Sequence, residues 1–141
     1  MTSQEVTKRL LVKRSADASK YYRCSVIATL KLFAPKWKSC ILSYLDDSPM
    51  RYNDLFRIIP NISRKTLSAH LKELESDGLI NRVQFDEKKQ HVEYSLTKKG
   101  RSIMPIIESL QDWGLANLEN VLSIKDMIAV QTEQERVAEQ H

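Results

Sequence analysis

The four-residue corner Pro60-Asn61-Ile62-Ser63 constrains this chain more than any other feature. Proline disfavours helical backbone in the residue before it, so a helix arriving at the corner must end there. Ser63 offers a hydroxyl oxygen to the free amides of a following helix. Two helices separated by so few residues have helix-turn-helix spacing. In the second helix Leu67, Leu71 and Leu74 repeat at i, i+4 and i+7. At about 100° per residue they form one stripe that must be buried. The opposite side carries Lys65, Ala69, Lys72 and Ser76, with Ser68 and Glu73 on its flanks and Arg64 and Thr66 in the first turn. Asp77-Gly78 stops the helix, because glycine adopts the left-handed conformation of a C-terminal cap without steric cost.

Beyond that stop, Leu79 to Phe85 and Val92 to Leu96 alternate apolar and polar residues, which predicts two half-buried strands. The segment Asp86 to His91 between them has no Asn-Gly or Asp-Gly signal, so a longer loop is expected. Lys88 and Lys89 at its tip leave two readings open, a solvated loop and a wing lying along a phosphate backbone. Ahead of the corner, Met50-Arg51-Tyr52 fits a short strand joining the ribbon. Asn53 or Asp54 fits the cap of a helix carrying Leu55, Phe56, Ile58 and Ile59. The expected fold is mainly α with a small antiparallel β-wing, a winged helix-turn-helix.

The flanks read as helices. Val26, Ile27, Leu30 and Phe33 form a stripe in a helix from about Lys20. After Ala34-Pro35, residues Trp37, Cys40, Ile41, Tyr44 and Leu45 mark a second helix that Asp46-Asp47-Ser48-Pro49 ends. Thr97 suits the N-cap of a long helix through Ile103, Ile106, Ile107, Leu110 and Trp113, in which Pro105 predicts a kink or restart. A last helix is expected from Ile124 to about Ala138. The domains expected are a flexible arm at 1–17, a DNA-binding winged helix-turn-helix at 18–97, and dimerisation helices at 98–141. The C-terminal helices hold more apolar surface than so small a module covers, and dimerisation is the natural outlet.

At 141 residues the chain suffices for one core and is short for two ordinary domains. No apolar run approaches the roughly 18 residues of a membrane span and no secretory leader is evident, so a cytoplasmic protein is expected. Cys24 and Cys40 make neither a disulfide framework nor a four-ligand zinc site, and no metal or cofactor is expected. The charge is unevenly spread. Residues 1–101 carry 20 lysines and arginines against 11 carboxylates, whereas residues 102–141 carry 2 against 7. A basic body with an acidic tail fits a polyanionic partner for the body. With glycine only at 78, 100 and 114, and no nucleophile-base pair or metal-ligand cluster, an enzyme is not expected.

The candidate DNA contacts follow from this layout. Arg64, Lys65, Thr66, Ser68 and Ala69 are placed to meet base edges, with Ser63 at the helix start. Lys72, Arg51, Asn53, Lys88 and Lys89 are placed to meet phosphates. Cys24 is a candidate redox sensor, since the nearby cations Arg23, Lys20 and Arg14 favour thiolate, and core filling is the competing reading. Cys40, on the Trp37 stripe, reads as core.

From Cys24 to about Trp113 the chain resembles the HxlR family of bacterial winged helix-turn-helix transcriptional regulators. The marks are Cys24, Lys36-Trp37 with Ile41-Leu42, Arg51-Tyr52 with Leu55, Ile62 to Leu67, Leu71 to Ile80, Val92 to Thr97, Lys99-Gly100 and Pro105. Ser25 and Ala34-Pro35-Lys36 depart from the family's usual Pro after the cysteine and Gly-Lys before the tryptophan. The resemblance implies a homodimer on double-stranded DNA, held by its N- and C-terminal helices, with the Ser63 helix in the major groove. It also implies, for some members, a response to oxidants or electrophiles. A small-molecule effector between the long helices, and a winged module that binds protein or RNA, stay open as alternatives.

Overall fold

The computed structural model describes residues 2–12, 23–86 and 91–140. Lys13, Arg14, Lys20, Lys88 and Lys89 lie outside the described residues. Two compact units are present, Met1–Leu32 and Phe33–His141. The first contains helix α1 (Ser3–Val12), inside the segment expected as an arm, and most of α2 (Ser25–Phe33).

In the second unit, α3 (Lys38–Asp47) is followed by strand β1 (Met50–Arg51), α4 (Tyr52–Ile58), α5 (Arg64–Ser76), strands β2 (Ile80–Asp86) and β3 (His91–Leu96), and helices α6 (Lys98–Asn117) and α7 (Ile124–Glu139). The sheet is antiparallel with order β1-β3-β2, pairing Met50 with Tyr94 and Ile80 with Leu96. This is a winged helix-turn-helix, mostly helical with a small three-stranded sheet. α3 packs on β3, α6 and α7, and α5 packs on β2. Ile41, Leu42, Leu55, Leu67, Leu74, Leu79 and Ile80 form the fully buried centre.

Ser63 caps α5 as expected, its hydroxyl accepting from Thr66 N at 3.0 Å. Asn61 takes the left-handed turn of the corner, with φ 62°. Thr97 caps α6 by accepting from Gly100 N at 2.9 Å, and its hydroxyl donates to the Gly78 carbonyl at 2.6 Å, which ties the helix stop to the helix start. Gly100 is required here by close approach: a Cβ built on it would lie 2.1 Å from the Leu79 carbonyl oxygen.

Several expectations need correction. Trp37 does not lie within its helix but is the N-cap of α3, in the left-handed region at φ 81°, a conformation that costs a non-glycine residue about 1–3 kcal/mol. The Pro35 turn, closed by Lys38 N donating to the Pro35 carbonyl at 3.1 Å, forces that path, and the buried indole holds it. Arg51, rather than Asn53 or Asp54, caps α4: its amide donates to Asp54 Oδ2 at 3.2 Å. Tyr52 belongs to that helix and not to β1. The helix through Pro105 does not restart, since α6 is assigned as one element. β2 is not half-buried, because Ile80 reaches the core but Asn81 to Phe85 are all exposed.

Gly100→Ala should lower unfolding free energy by about 1–3 kcal/mol, the usual cost of forcing an atom into a packed site. Urea unfolding at fixed protein concentration measures it. Wild-type stability in this variant would contradict the close approach.

Candidate nucleic-acid interface

α5 has four sides with separate duties. Leu67, Leu71 and Leu74 are buried at its back. The opposite side exposes Lys65, Ala69 and Lys72, and neither lysine has an ion-pair partner among the described residues. The cationic side is therefore turned outward by the burial of the leucines.

One flank is occupied by an aromatic ledge. Tyr52 and Phe56 of α4 lie stacked with ring centroids 6.5 Å apart. The Arg64 guanidinium lies over Phe56 at 4.2 Å and within 5.8 Å of the Tyr52 ring centre. Tyr52 Oη donates to the Arg64 carbonyl at 3.2 Å and accepts from Ser68 Oγ at 3.3 Å. A planar cation gains from a ring face without losing its in-plane donors, so Arg64 is oriented here while its N–H groups stay usable. Ser63 and Thr66 are committed to the cap: Ser63 Oγ also donates to Thr66 Oγ1 at 2.9 Å. Their hydroxyls fix where the helix begins.

At the base of the wing, β1 brings Arg51 beside β3. The Arg51 guanidinium lies 2.7 Å from His91 Nδ1, and His91 Nε2 lies 3.2 Å from Glu93 Oε1. The same Arg51 nitrogen also lies 3.0 Å from His91 Nε2, so the guanidinium sits against the imidazole ring, whose donor and acceptor roles follow from its tautomer. Arg51 is thus held in a small polar network rather than extended. Asn53 is exposed in the first turn of α4, and its carbonyl accepts from Arg57 Nε at 3.3 Å. The structure thus brings Ser63, Arg64, Lys65, Thr66, Ser68, Ala69 and Lys72 onto one helix, with Arg51 and Asn53 in the elements before it. The sequence reading missed the Tyr52-Phe56 ledge and His91. The i, i+4 aromatic pair was a usable signal for the ledge; nothing local marked His91.

Cys24 belongs to the first unit and directly precedes α2, its carbonyl accepting from Ala28 N at 2.9 Å. The thiol is exposed, and its pKa is lowered by the backbone amides of Ile27 and Val26. Those amides belong to the start of α2, whereas Lys20 and Arg14, two of the cations expected to act on it, lie outside the described residues. Cys40 is buried in the core, and burial pushes its thiol up to about 11. Elsewhere in the second unit a cavity of about 390 Å³ lies between α3, α6 and α7, lined by Asp46, Met104, Ile107 and Asp112 among others. Among the described residues no cluster suited to a metal ion occurs, and no helix is long and apolar enough to cross a membrane.

A buried leucine stripe, a capped corner and a three-stranded wing define the class of winged helix-turn-helix transcriptional regulators. The chain belongs to the HxlR-like helix-turn-helix family, whose model matches residues 32–121. It is 44% identical over 93 residues to an HTH-type transcriptional regulator of Methanothermobacter thermautotrophicus, covering 66% of this chain and 71% of that protein. The Bacillus subtilis HTH-type regulator YtcD is 41% identical over 102 residues, covering 72% and 81%. Among solved structures, the redox regulator HypR in its oxidised form superposes with TM-score 0.62 at 36% identity, covering 68% of this chain and all but 1% of that one, since 99% of it is matched. The reduced form of the transcriptional regulator YodB from B. subtilis superposes with TM-score 0.64 at 29% identity, covering 72% and 100%. Relatives and family are transcriptional regulators, not enzymes.

The two thiols should differ in native alkylation near neutral pH. From thiolate fraction alone, Cys40 at about 11 should react at least about a hundredfold more slowly than Cys24, which lies below 9.0. Mass spectrometry of iodoacetamide-treated protein reads the rates, and equal labelling of both in the folded state would contradict these environments.

Proposed function

We propose that this protein is a homodimeric, sequence-specific regulator that binds double-stranded DNA, with α5 entering the major groove. The outward face of α5 carries this reading, because Lys65, Ala69 and Lys72 are exposed, the two lysines without ion-pair partners among the described residues, while the leucines behind them are buried. Small and cationic side chains suit close approach to base edges and phosphates. In this reading Lys65 and the ledge-held Arg64 donate to bases, Ala69 leaves room for a base edge, and Ser68 is a further base contact. Ser63 and Thr66 set the helix start at the DNA. Lys72, Arg51, Asn53, Lys88 and Lys89 neutralise phosphates. Residues 18–97 form the DNA-binding domain and 98–141 the dimerisation segment.

Exposed apolar surface supports the dimer. Ile106, Leu110, Trp113, Leu115, Leu118 and Leu122 are each at least 45% exposed, and exposed apolar side chains gathered in one segment are of the kind that marks a protein–protein interface. A two-fold dimer presents two copies of α5 to a palindromic site.

Cys24 is the proposed redox input, supported by its exposure, its lowered pKa and the redox regulators among the structural relatives. A peroxide would oxidise its thiolate to sulfenic acid, and condensation with a second thiol would give a disulfide and release water. The cavity between α3, α6 and α7 supports a second reading of the input, a small-molecule effector.

Gel shifts on duplex DNA from upstream of the protein's own gene, with RNA and scrambled duplex competitors, test the proposal. Lys65→Ala should cost about 1–3 kcal/mol on the preferred site and little on scrambled DNA. Lys72→Ala should weaken both and reduce the salt slope by about one. Preferential competition by RNA, or identical behaviour of both variants and wild type, would contradict it.

A further inference from the structure

Two contacts outside the DNA-facing side tie α5 to the corner ahead of α3. His70 Nε2 lies 2.7 Å from the Lys36 carbonyl oxygen. A carbonyl only accepts, so Nε2 carries the proton and the ring is held in one orientation. Its other nitrogen, Nδ1, is buried and has no hydrogen-bond partner among the described residues. Three residues along the helix, Glu73 forms an ion pair with Lys38. The Lys38 side chain is only 4% exposed, and among the described residues it is the one charged group buried in the core region. That ammonium holds the Glu73 carboxyl below its ordinary range, chiefly by hydrogen bonding. His70 and Glu73, at i and i+3, share one face of α5, and their partners flank Trp37, whose left-handed backbone and buried ring fix the corner.

We propose that His70, Glu73 and Lys38 are positioning residues for operator recognition, by which the Trp37 corner grips the second half of α5 and fixes its rotation and tilt in the groove. The proposal rests on the reading of α5 as the recognition helix. Apolar contact is non-directional, so three leucines fix which side of α5 faces the core but leave its finer rotation and tilt loosely set. The hydrogen bond to Lys36 and the ion pair to Lys38 are directional and supply that constraint. Tyr52, bonded to Arg64 and Ser68, constrains the first half of the helix from the other flank. Base-edge hydrogen bonds require a fixed pose, whereas long lysines reach phosphates from many poses. Loosening the grip therefore removes discrimination and spares non-specific binding.

The test uses the full-length protein, a duplex carrying the site footprinted upstream of its own gene, and a scrambled duplex of equal length. Glu73→Gln is the decisive variant, because loss of a carboxylate beside DNA should by itself tighten binding to every duplex. A grip predicts the opposite sign on the specific site, with the specific-to-scrambled affinity ratio falling roughly three- to tenfold. Lys38→Met should lower the ratio by the same factor, and the double variant by no more than either single one. His70→Gln, which keeps a donor, should retain more discrimination than His70→Leu. Glu73 is half exposed, so Glu73→Gln keeps the test valid even if Lys38→Met unfolds. Wild-type discrimination with an unchanged ratio in Glu73→Gln would overturn the grip alone. No discrimination by wild type would overturn the reading of α5 and the grip with it.

Discussion

Burial of Leu67, Leu71 and Leu74 is the constraint on which the rest of the molecule depends. Those side chains can leave water only by turning one side of α5 into the core, and helical geometry then leaves Lys65, Ala69 and Lys72 facing out. The cationic face is a consequence of the apolar one. Each surrounding element limits a remaining freedom of this helix. Ser63 and Thr66 set where it begins, Gly78 and Thr97 set where the chain leaves it, and Tyr52 and the Lys36–Lys38 corner hold its two flanks.

Strain and burial are spent where they fix that geometry. Trp37 is held in a left-handed conformation beside the only grip on the second half of α5 that is found among the described residues. Gly100 lets α6 start against the Leu79 carbonyl, so the end of α5, the start of β2 and the long helix α6 meet at one point. The outer wing, the outer face of α6 and the segment after it carry exposed apolar groups instead, at Val83 and Phe85, from Ile106 to Leu115, and at Leu118 and Leu122. Surfaces of that kind are completed by partners, DNA for the wing and a second subunit for the helix in the function proposed.

What was legible in the sequence was whatever depends on local rules. The Pro60–Ser63 corner, the leucine stripe, the Asp77-Gly78 stop and the Thr97 cap each follow from a few neighbouring residues, and all four stand in the structure. Features set by distant contacts were not legible. Trp37 fits the apolar period of α3, and only the Pro35 turn and the space available to the indole move it out of the helix. Alternation in β2 suggested burial, but alternation reports a pleat and not what lies over it. Arg64 could be placed in the first turn of the helix, yet its rest on Phe56 depends on how α4 crosses α5. Cys24 could be singled out, but the source of its lowered pKa is the start of α2, whose position the sequence did not specify.

The central claim is that a leucine-anchored helix, doubled by symmetry, delivers its basic face to a defined DNA sequence. Hydroxyl-radical footprinting of the purified protein across the DNA upstream of its own gene tests this most directly. The account predicts two protected half-sites related by a dyad, their centres separated by a whole number of helical turns, about 10 base pairs each. Protection spread evenly along the fragment, with no preferred site at any salt concentration that permits binding, would contradict it.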